Sequence, residues 1–185
     1  MLKKELRGHL LTTLVWLMVI SLVRWDWLRQ PADLLSFWLG GLMGFLLLDV
    51  DHYLYALVLY PHQLTSLRIQ RLLKQKRFRE TAELIVDTDQ ERVKLSFHNA
   101  LFQLVFYIFC FFALTSTDNW FGKGLVMAMA LHLLKDEVVC LLRGQDEFLR
   151  RWLFSQFNVR ISFKHQRFFV ILMILIFLGL NLFLI

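Results

Sequence analysis

Five long apolar runs, separated by polar stretches, dominate the hydrophobic pattern of this chain. They cover residues 8–24, 34–59, 97–116, 121–142 and 168–185. Each run approaches the length of about 20 residues that an α-helix needs to cross the hydrocarbon core of a bilayer. The pattern therefore predicts an all-α fold, a polytopic membrane helical bundle of about five transmembrane helices, in a single membrane domain that spans residues 1–185.

Two of the polar connections contain apolar residues at helical spacing. In the connection 61–95, apolar residues such as Leu64 and Leu67 are interleaved with Arg and Lys, which is typical of a basic amphipathic helix on a membrane surface. A solvated connector is the alternative. Residues 81–91 are more acidic and predict a second short helix, and residues 148–169, which mix aromatic and basic side chains, are also predicted to be interfacial.

Basic residues predict the orientation of these helices. Residues 2–7 carry three, residues 61–95 carry eight and residues 143–167 carry six, whereas the other two connections carry only Arg24, Arg29 and Lys123. Since loops rich in Lys and Arg remain in the cytoplasm, we expect a cytoplasmic N-terminus, a cytoplasmic loop at 61–95 and a C-terminus outside. No small-residue cleavage site follows the first apolar run, so we expect a retained helix rather than a signal peptide.

The composition agrees with a membrane protein and argues against other classes. Hydrophobic residues make up 57% of the chain, more than is typical of soluble domains. The net charge of +6 comes from the loops described above, and no groove-reading motif accompanies it, so nucleic acid is not an expected partner. Cys110 and Cys140 lie in separate apolar runs, where we expect small hydrophobic side chains rather than a disulfide or thiolate metal site.

Ionisable side chains interrupt the apolar runs at positions that share one depth. Each such group costs on the order of 3 kcal/mol at membrane depth, and such groups normally mark a functional site. A single histidine is more often a hydrogen-bonded interior side chain. In the predicted topology, however, the whole set lies at the cytoplasmic ends of the helices, which favours one shared metal site. The candidate ligands are His9, Asp49, Asp51, His52, His98, His132 and Asp136.

The spacing of these residues decides which of them share a helix face. His132 and Asp136 lie four residues apart, so they share a face and can bind one ion. Asp49 and His52, three residues apart, also share a face. Asp51 points away from Asp49 on a regular helix. Either the helix unwinds locally here to line a cavity, or Asp51 binds a different ion or orients a histidine from behind.

Three glycines precede this polar group in the second apolar run. Gly40, Gly41 and Gly44 lie one to two turns before Asp49. Small residues let two helices approach closely in a membrane. We therefore expect a neighbouring helix to pack against this face.

The ligand types indicate the class of metal. Histidine nitrogen together with carboxylate oxygen suits zinc, manganese or iron, and the set is too rich in nitrogen for calcium or magnesium. The candidates are more numerous than one four-coordinate site requires, so we predict one or two divalent metal ions. Pairs of ions bridged by a carboxylate typically serve phosphoester hydrolysis.

The order of these motifs resembles a family of membrane-bound metal-dependent hydrolases, which includes the LexA-regulated inner-membrane hydrolases of bacteria. The family pattern runs as an early Gly-His, a Pro-Asp-x-Asp-His, a His-Arg-Gly-x-Thr-His-Ser and a Ser-His-x-x-x-Asp. The resemblance covers residues 8–162. The matching residues, in chain order, are Gly8 and His9, then Asp49, Asp51 and His52, then His98, and finally His132 with Asp136.

This resemblance implies a metal-dependent hydrolase in a bacterial inner membrane, without naming its substrate. At that depth, a lipid phosphoester is the expected substrate, and Asp51 or Asp136 is the expected catalytic base. Several positions depart from the family pattern: Leu48 replaces a proline, Val93 a histidine, Lys94-Leu95 an Arg-Gly pair and Asn99 a serine. The lost histidine implies one metal fewer, or a protein that has lost its chemistry and kept its structure.

Two other classes of function compete with hydrolysis. A non-catalytic subunit would use the same fold, with or without a structural metal, to bind partners in a membrane complex or to form a homo-oligomer, and Val93 favours it. A transporter would use the buried carboxylates as relays. The sequence has neither a repeated half nor a polar path to the outer side, which argues against transport.

Overall fold

A computed structural model describes residues 2–24, 30–157 and 161–185, with side chains from residue 7 onward. Within these ranges every regular element is helical, as the sequence predicts. Part of the charge pattern behind the predicted topology lies outside the described residues, namely the side chains of Lys3 and Lys4 and the whole of Arg29 and Arg160.

The predicted apolar runs and both amphipathic connections form helices. The run at 97–116 becomes helical only at Ala100, and the run at 168–185 belongs to a helix that begins earlier, at Phe163. In chain order the elements are α1 (Leu2–Val23), α2 (Pro31–Leu47), α3 (Val50–Leu54), a π-helical turn (Tyr55–Leu59), α4 (Leu64–Lys74), α5 (Phe78–Asp87), a 3₁₀ turn (Asp89–Glu91), α6 (Ala100–Ser116), α7 (Trp120–Leu142), α8 (Asp146–Leu153) and α9 (Phe163–Asn181).

A tight turn interrupts the second apolar run between α2 and α3. The Asp51 amide donates to the Leu48 carbonyl at 3.0 Å, and the His52 amide donates to the Asp49 carbonyl at 3.3 Å. These bonds span three residues, as in a 3₁₀ turn, and the wider π-helical turn follows four residues later. The helix therefore tightens locally at Asp49 and does not unwind.

The connection 61–95 folds into α4 and α5 rather than a featureless loop. Ile69 of α4 and Ile85 of α5 pack with Ala56, which attaches both helices to the end of the second apolar run. α5 begins at Phe78 and carries Glu83 and Asp87, whereas Asp89 and Glu91 lie in the 3₁₀ turn that follows. α5 thereby forms a wall beside the ionisable residues.

α2 and α7 pack against each other at glycine residues, as the sequence predicts. A Cβ atom on Gly40 would collide with the carbonyl oxygen of Phe121, and one on Gly44 would collide with that of Leu125. Gly124 of α7 approaches the backbone of α2 in the same way. Since residue numbers rise together along this contact, α2 and α7 run parallel.

α7 lies at the centre of the molecule, with α1, α2, α6 and α9 packed around it. The indole N–H of Trp16 donates to Asn181 Oδ1 at 2.7 Å and joins α1 to α9. Both Cys110 and Cys140 are buried free thiols, as expected from the sequence. The central position of α7 brings its ionisable residues within reach of several helices.

Two helical stretches of the described chain are long and apolar enough to cross a membrane, Pro31–Leu59 and Phe163–Asn181. Arg7–Val23 and Ala100–Ser116 are shorter apolar helices. The 17 residues of α6 measure about 26 Å, somewhat less than the hydrocarbon core of about 30 Å. α7 has 23 residues, and its ionisable side chains lower its hydropathy.

Candidate metal centre

Five of the predicted site residues gather at one point near the C-terminal end of α7. They come from α1, from the turn between α2 and α3, from the segment before α6 and from α7 itself. A cavity of about 480 Å³ lies beside them, with α5 and α8 on its other sides. The five residues of this cluster, all of which line the cavity, are His9, Asp49, His98, His132 and Asp136.

The carboxylate of Asp136 is the centre of this cluster. Its Oδ1 lies 3.1 Å from His9 Nε2, and its Oδ2 lies 3.4 Å from His132 Nε2 and 3.9 Å from His98 Nε2. Asp49 Oδ1 lies 3.7 Å from His132 Nε2. Histidines from three separate elements thus direct the same ring nitrogen at one carboxylate.

Three of these side chains lie close enough together to share one metal ion. Two atoms that each lie about 2.1 Å from a tetrahedral zinc ion are about 3.4 Å apart, and the four separations above lie between 3.1 and 3.9 Å. The ligand atoms of His9, His132 and Asp136 all lie within 4.8 Å of one another, so this group could hold a metal. Nitrogen and oxygen donors together suit zinc, manganese or iron.

Asp51 supports His98 from behind. Its side chain is fully buried, and among the described residues it does not line the cavity. It accepts hydrogen bonds from the Phe97 amide at 2.7 Å and the Ser96 amide at 3.1 Å, and its Oδ2 lies 3.1 Å from His98 Nδ1. Because a carboxylate accepts hydrogen bonds, His98 Nδ1 carries the proton and Nε2 keeps its lone pair for a metal.

A backbone carbonyl orients His132 in the same way. His132 Nδ1 donates to the carbonyl oxygen of Phe45 at 2.9 Å, which leaves the Nε2 lone pair on the side of Asp136. Phe45 lies in the last turn of α2, where carbonyls lack partners within the helix. The close glycine contact between α2 and α7 brings this carbonyl to the imidazole.

His52 is hydrogen-bonded to Arg92, which in the sequence is one of the basic residues of the connection 61–95. Arg92 Nε donates to His52 Nδ1 at 3.3 Å, Nη1 donates to Thr88 Oγ1 at 2.8 Å, and Nη2 donates to the carbonyl oxygen of Ile85. The Arg92 side chain is only 1% exposed. Burial lowers the pKa of Arg92 from its ordinary value, and two neighbouring acidic residues oppose this shift.

Some of these partners leave a signal in the sequence and others leave none. Ile85, Thr88 and Arg92 recur every three to four residues, which places them on one face of α5 and its continuation. Trp152, which the sequence assigns to packing or to lipid, lies with its ring 5.6 Å from that of His98 and lines the cavity. The carbonyl of Phe45 is a backbone group, so no residue type in the sequence indicates that it accepts a hydrogen bond from His132.

Val93, the position of the missing histidine, belongs to an apolar cluster with Tyr55 and Leu95. It is not among the described residues that line the cavity, although its neighbour Arg92 is. His62 and His165 are exposed, as expected for residues of polar loops. The structure thus brings together five candidate ligands, places Asp51 behind one of them and binds His52 to Arg92.

Comparison with known proteins finds no relative of this chain. No family profile, no curated protein and no solved structure matches it. The resemblance to membrane-bound hydrolases therefore stays a prediction from the motifs themselves.

Proposed function

We propose that this protein is a membrane-embedded, metal-dependent hydrolase that binds one divalent ion at its cytoplasmic side. The observation that carries the proposal is the group of His9, His132 and Asp136, whose ligand atoms lie within 4.8 Å of one another and could hold a metal, with His98 Nε2 3.9 Å from the same carboxylate. Hydrogen bonds at the opposite ring nitrogen also orient two of the histidines: Asp51 orients His98, and the Phe45 carbonyl orients His132. Such buried supports are typical of metal sites.

The residues of the site divide into ligands and a candidate base. His9, His98, His132 and Asp136 would hold the ion, and a divalent ion there supplies Lewis acidity and lowers the pKa of a bound water. Asp49 is the proposed base, because its side chain is 44% exposed beside His132. Asp51 is buried and already accepts bonds from two amides, which argues against a direct role as a base.

The membrane arrangement that we propose has five spans, with the N-terminus in the cytoplasm and the C-terminus outside. The parallel packing of α2 and α7 supports it, because five spans require these two helices to cross in the same direction. Exposed apolar side chains also recur along α1 and α6, for example Leu11, Val15, Val105 and Phe109. A bacterial inner membrane is the compartment that the motif resemblance implies.

The cavity suits a lipid phosphoester as the substrate. Apolar side chains such as Tyr53, Ile85 and Trp152 line part of it, and the basic residues Lys135 and Arg143 also lie at its wall. An apolar lining with a few charged groups is the usual composition of a ligand site. The cationic side chains would attract a phosphate group, and the apolar ones would contact the acyl chains.

Elemental analysis of the purified protein tests the metal site directly. We expect about one zinc, manganese or iron per chain, and a loss of metal affinity of about tenfold to hundredfold in His132→Ala. His62→Ala, an exposed histidine outside the cluster, is the matched control and should keep its metal. An unchanged metal content in His132→Ala would contradict the assignment. Release of phosphate from phosphatidate by the metal-loaded protein, lost in Asp49→Asn, would identify the reaction class.

A second candidate is a non-catalytic membrane subunit with a structural metal. It is favoured by the number of donors, since binding of Asp49 together with the three histidines and Asp136 would fill the coordination shell. Structural sites are closed, whereas catalytic sites keep a position for water. Water-proton relaxation of the manganese-substituted protein separates the two, because only an open site gives a strong enhancement.

A further inference from the structure

We propose that His52 is not a metal ligand but a hydrogen-bond donor, through its Nε2–H, to an anionic oxygen of the bound substrate, and that Arg92 is the positioning residue that fixes this role. The inference rests on the proposed function and deepens it, because it names an oxyanion such as phosphate as the group recognised. His52 thereby has a different role from the neighbouring histidines, although the spacing of the motifs predicts the same role for all of them.

Arg92 fixes the tautomer of His52. A guanidinium has only donors, so Arg92 Nε must donate to His52 Nδ1, and Nδ1 must supply a lone pair. The imidazole is therefore neutral and carries its single hydrogen on Nε2. An Nε2 that carries a hydrogen has no lone pair with which to bind a metal.

The partner at Nδ1 distinguishes His52 from His98 and His132. His98 and His132 have an acceptor at Nδ1, the Asp51 carboxylate and the Phe45 carbonyl respectively, and both therefore keep the Nε2 lone pair. His52 has a donor at the same position. The partner behind each ring thus assigns two histidines to the metal and one to hydrogen bonding.

The position of the His52 Nε2–H group also favours a role in substrate binding. The His52 ring lines the cavity and lies 5.6 Å from the ring of His98. Its Nε2 donates to no residue that the structure describes, and it is not among the buried polar atoms without partners. The donor is thus available to a molecule in the cavity, next to the proposed metal.

A neutral imidazole suits this task because it donates a hydrogen bond without giving up its proton. Such a group stabilises negative charge on a substrate oxygen in the way that a neutral histidine acts as an electrophile in other enzymes. Lys135 and Arg143 at the cavity wall add positive charge for the same oxyanion. Arg92 acts through His52, because its Nε–H is directed at His52 Nδ1, while Nη1 and Nη2 donate to Thr88 and to the Ile85 carbonyl.

Metal content separates a ligand from a donor. We expect His52→Ala and His52→Gln to bind as much metal as the parent, whereas His132→Ala loses affinity by about tenfold to hundredfold. A loss in His52→Ala as large as that in His132→Ala would show that His52 is a ligand, and the inference would be wrong.

Titration with inorganic phosphate tests the donor, with and without added metal. A hydrogen bond to a charged group predicts about tenfold to hundredfold weaker phosphate binding in His52→Ala. In His52→Gln, whose amide nitrogen replaces Nε2–H, we expect binding within about threefold of the parent. Equal phosphate affinity in the parent and His52→Ala, or no phosphate binding by the parent, would overturn the inference. A parallel titration with phosphatidate distinguishes a lipid phosphate from a free one.

The ¹⁵N chemical shifts of the histidine rings report the tautomer, with the His52 signals assigned by their absence in His52→Gln. We expect a protonated Nε2 and an unprotonated Nδ1 in the parent, and loss of this fixed tautomer in Arg92→Leu but not in Arg68→Leu, an exposed control on α4. A protonated Nδ1 in the parent would overturn the inference. If the parent binds no metal, the proposed function fails, whereas the tautomer and the metal-free phosphate titration still decide the role of His52.

Discussion

Asp51 shows how one buried side chain can control a site that it does not enter. It accepts hydrogen bonds from the amides of Ser96 and Phe97 and pairs with His98 Nδ1. These bonds fold the segment before α6 so that His98 Nε2 lies 3.9 Å from Asp136. At the residue scale, the geometry of the candidate metal centre therefore depends on partners that lie behind the histidines.

Replacing Asp51 by Asn should weaken metal binding by about tenfold to hundredfold, the scale expected for a lost supporting carboxylate. The Asn oxygen can still accept from the Ser96 amide. An NH₂ group in place of Oδ2 would lose the hydrogen bond from the Phe97 amide, face His98 Nδ1 and move the imidazole proton to Nε2. Chelator competition measures the affinity. Asp87→Asn, an exposed aspartate of α5, is the control and should bind metal as the parent does. Equal metal affinity in the parent, Asp51→Asn and Asp87→Asn would contradict this role of Asp51.

Replacing Val93 by His should not add a second metal ion. The motif resemblance alone suggests that a histidine here would restore a ligand. In the structure, Val93 packs with Tyr55 and Leu95 and does not line the cavity among the described residues. We therefore expect one ion per chain in both proteins, measured by elemental analysis after metal loading. A ratio of two in Val93→His would show that the segment can turn this position into the cavity.

At the scale of elements, the contact between α2 and α7 connects helix packing to the metal centre. Glycines let the backbones approach, and this approach places the Phe45 carbonyl 2.9 Å from His132 Nδ1. A wider separation of the two helices would remove that acceptor. The packing of small residues thus determines the orientation of a ligand.

Replacing Gly44 by Ala should destabilise the fold and weaken metal binding together. The added methyl group would collide with the Leu125 carbonyl, and overpacking of this kind costs about 1–3 kcal/mol. Gly179→Ala in α9 is the matched control, because a Cβ there meets no atom within 4 Å and alanine favours a helix. Thermal unfolding in detergent and chelator competition give the two results. A Gly44→Ala protein as stable as Gly179→Ala would contradict the close contact.

At the scale of the whole molecule, the proposed topology places every candidate ligand at the cytoplasmic side. The site residues of α1 and α6 lie near or just before the N-terminal ends of these helices, whereas those of α2 and α7 lie near the C-terminal ends. All of these residues share one depth only if α1 and α6 cross the membrane in the direction opposite to that of α2 and α7. The parallel contact of α2 with α7 agrees with this arrangement.

Paired reporters test this topology. A reporter that is active only outside the cytoplasm should function when fused after Ile185, and one that is active only in the cytoplasm should function when inserted at Lys76, between α4 and α5. The physical reason is the concentration of basic residues in the connection 61–95. Cytoplasmic activity of the C-terminal fusion would exclude five spans with a cytoplasmic N-terminus.

Much of the fold and part of the site could be predicted from the sequence. The apolar runs predict the helices, because each apolar face must be buried or meet lipid, and the spacing of His132 and Asp136 predicts that they act together. The glycines of α2 predict a close helix contact. The boundaries shifted where local hydrogen bonds decide them, as at Asn99, whose side chain accepts from the Phe102 amide and starts α6.

The sequence by itself determined which residue types lie near one another in depth: histidines and carboxylates at the ends of apolar helices that we predict to face the cytoplasm. Only the tertiary structure decided which nitrogen of each histidine faces the cavity. That choice depends on the partner behind each ring. These partners are 40 to 87 residues away in the chain: Arg92 is 40 residues from His52, Asp51 is 47 from His98, and the Phe45 carbonyl is 87 from His132. Long-range packing brings these groups together, so local spacing cannot encode their roles.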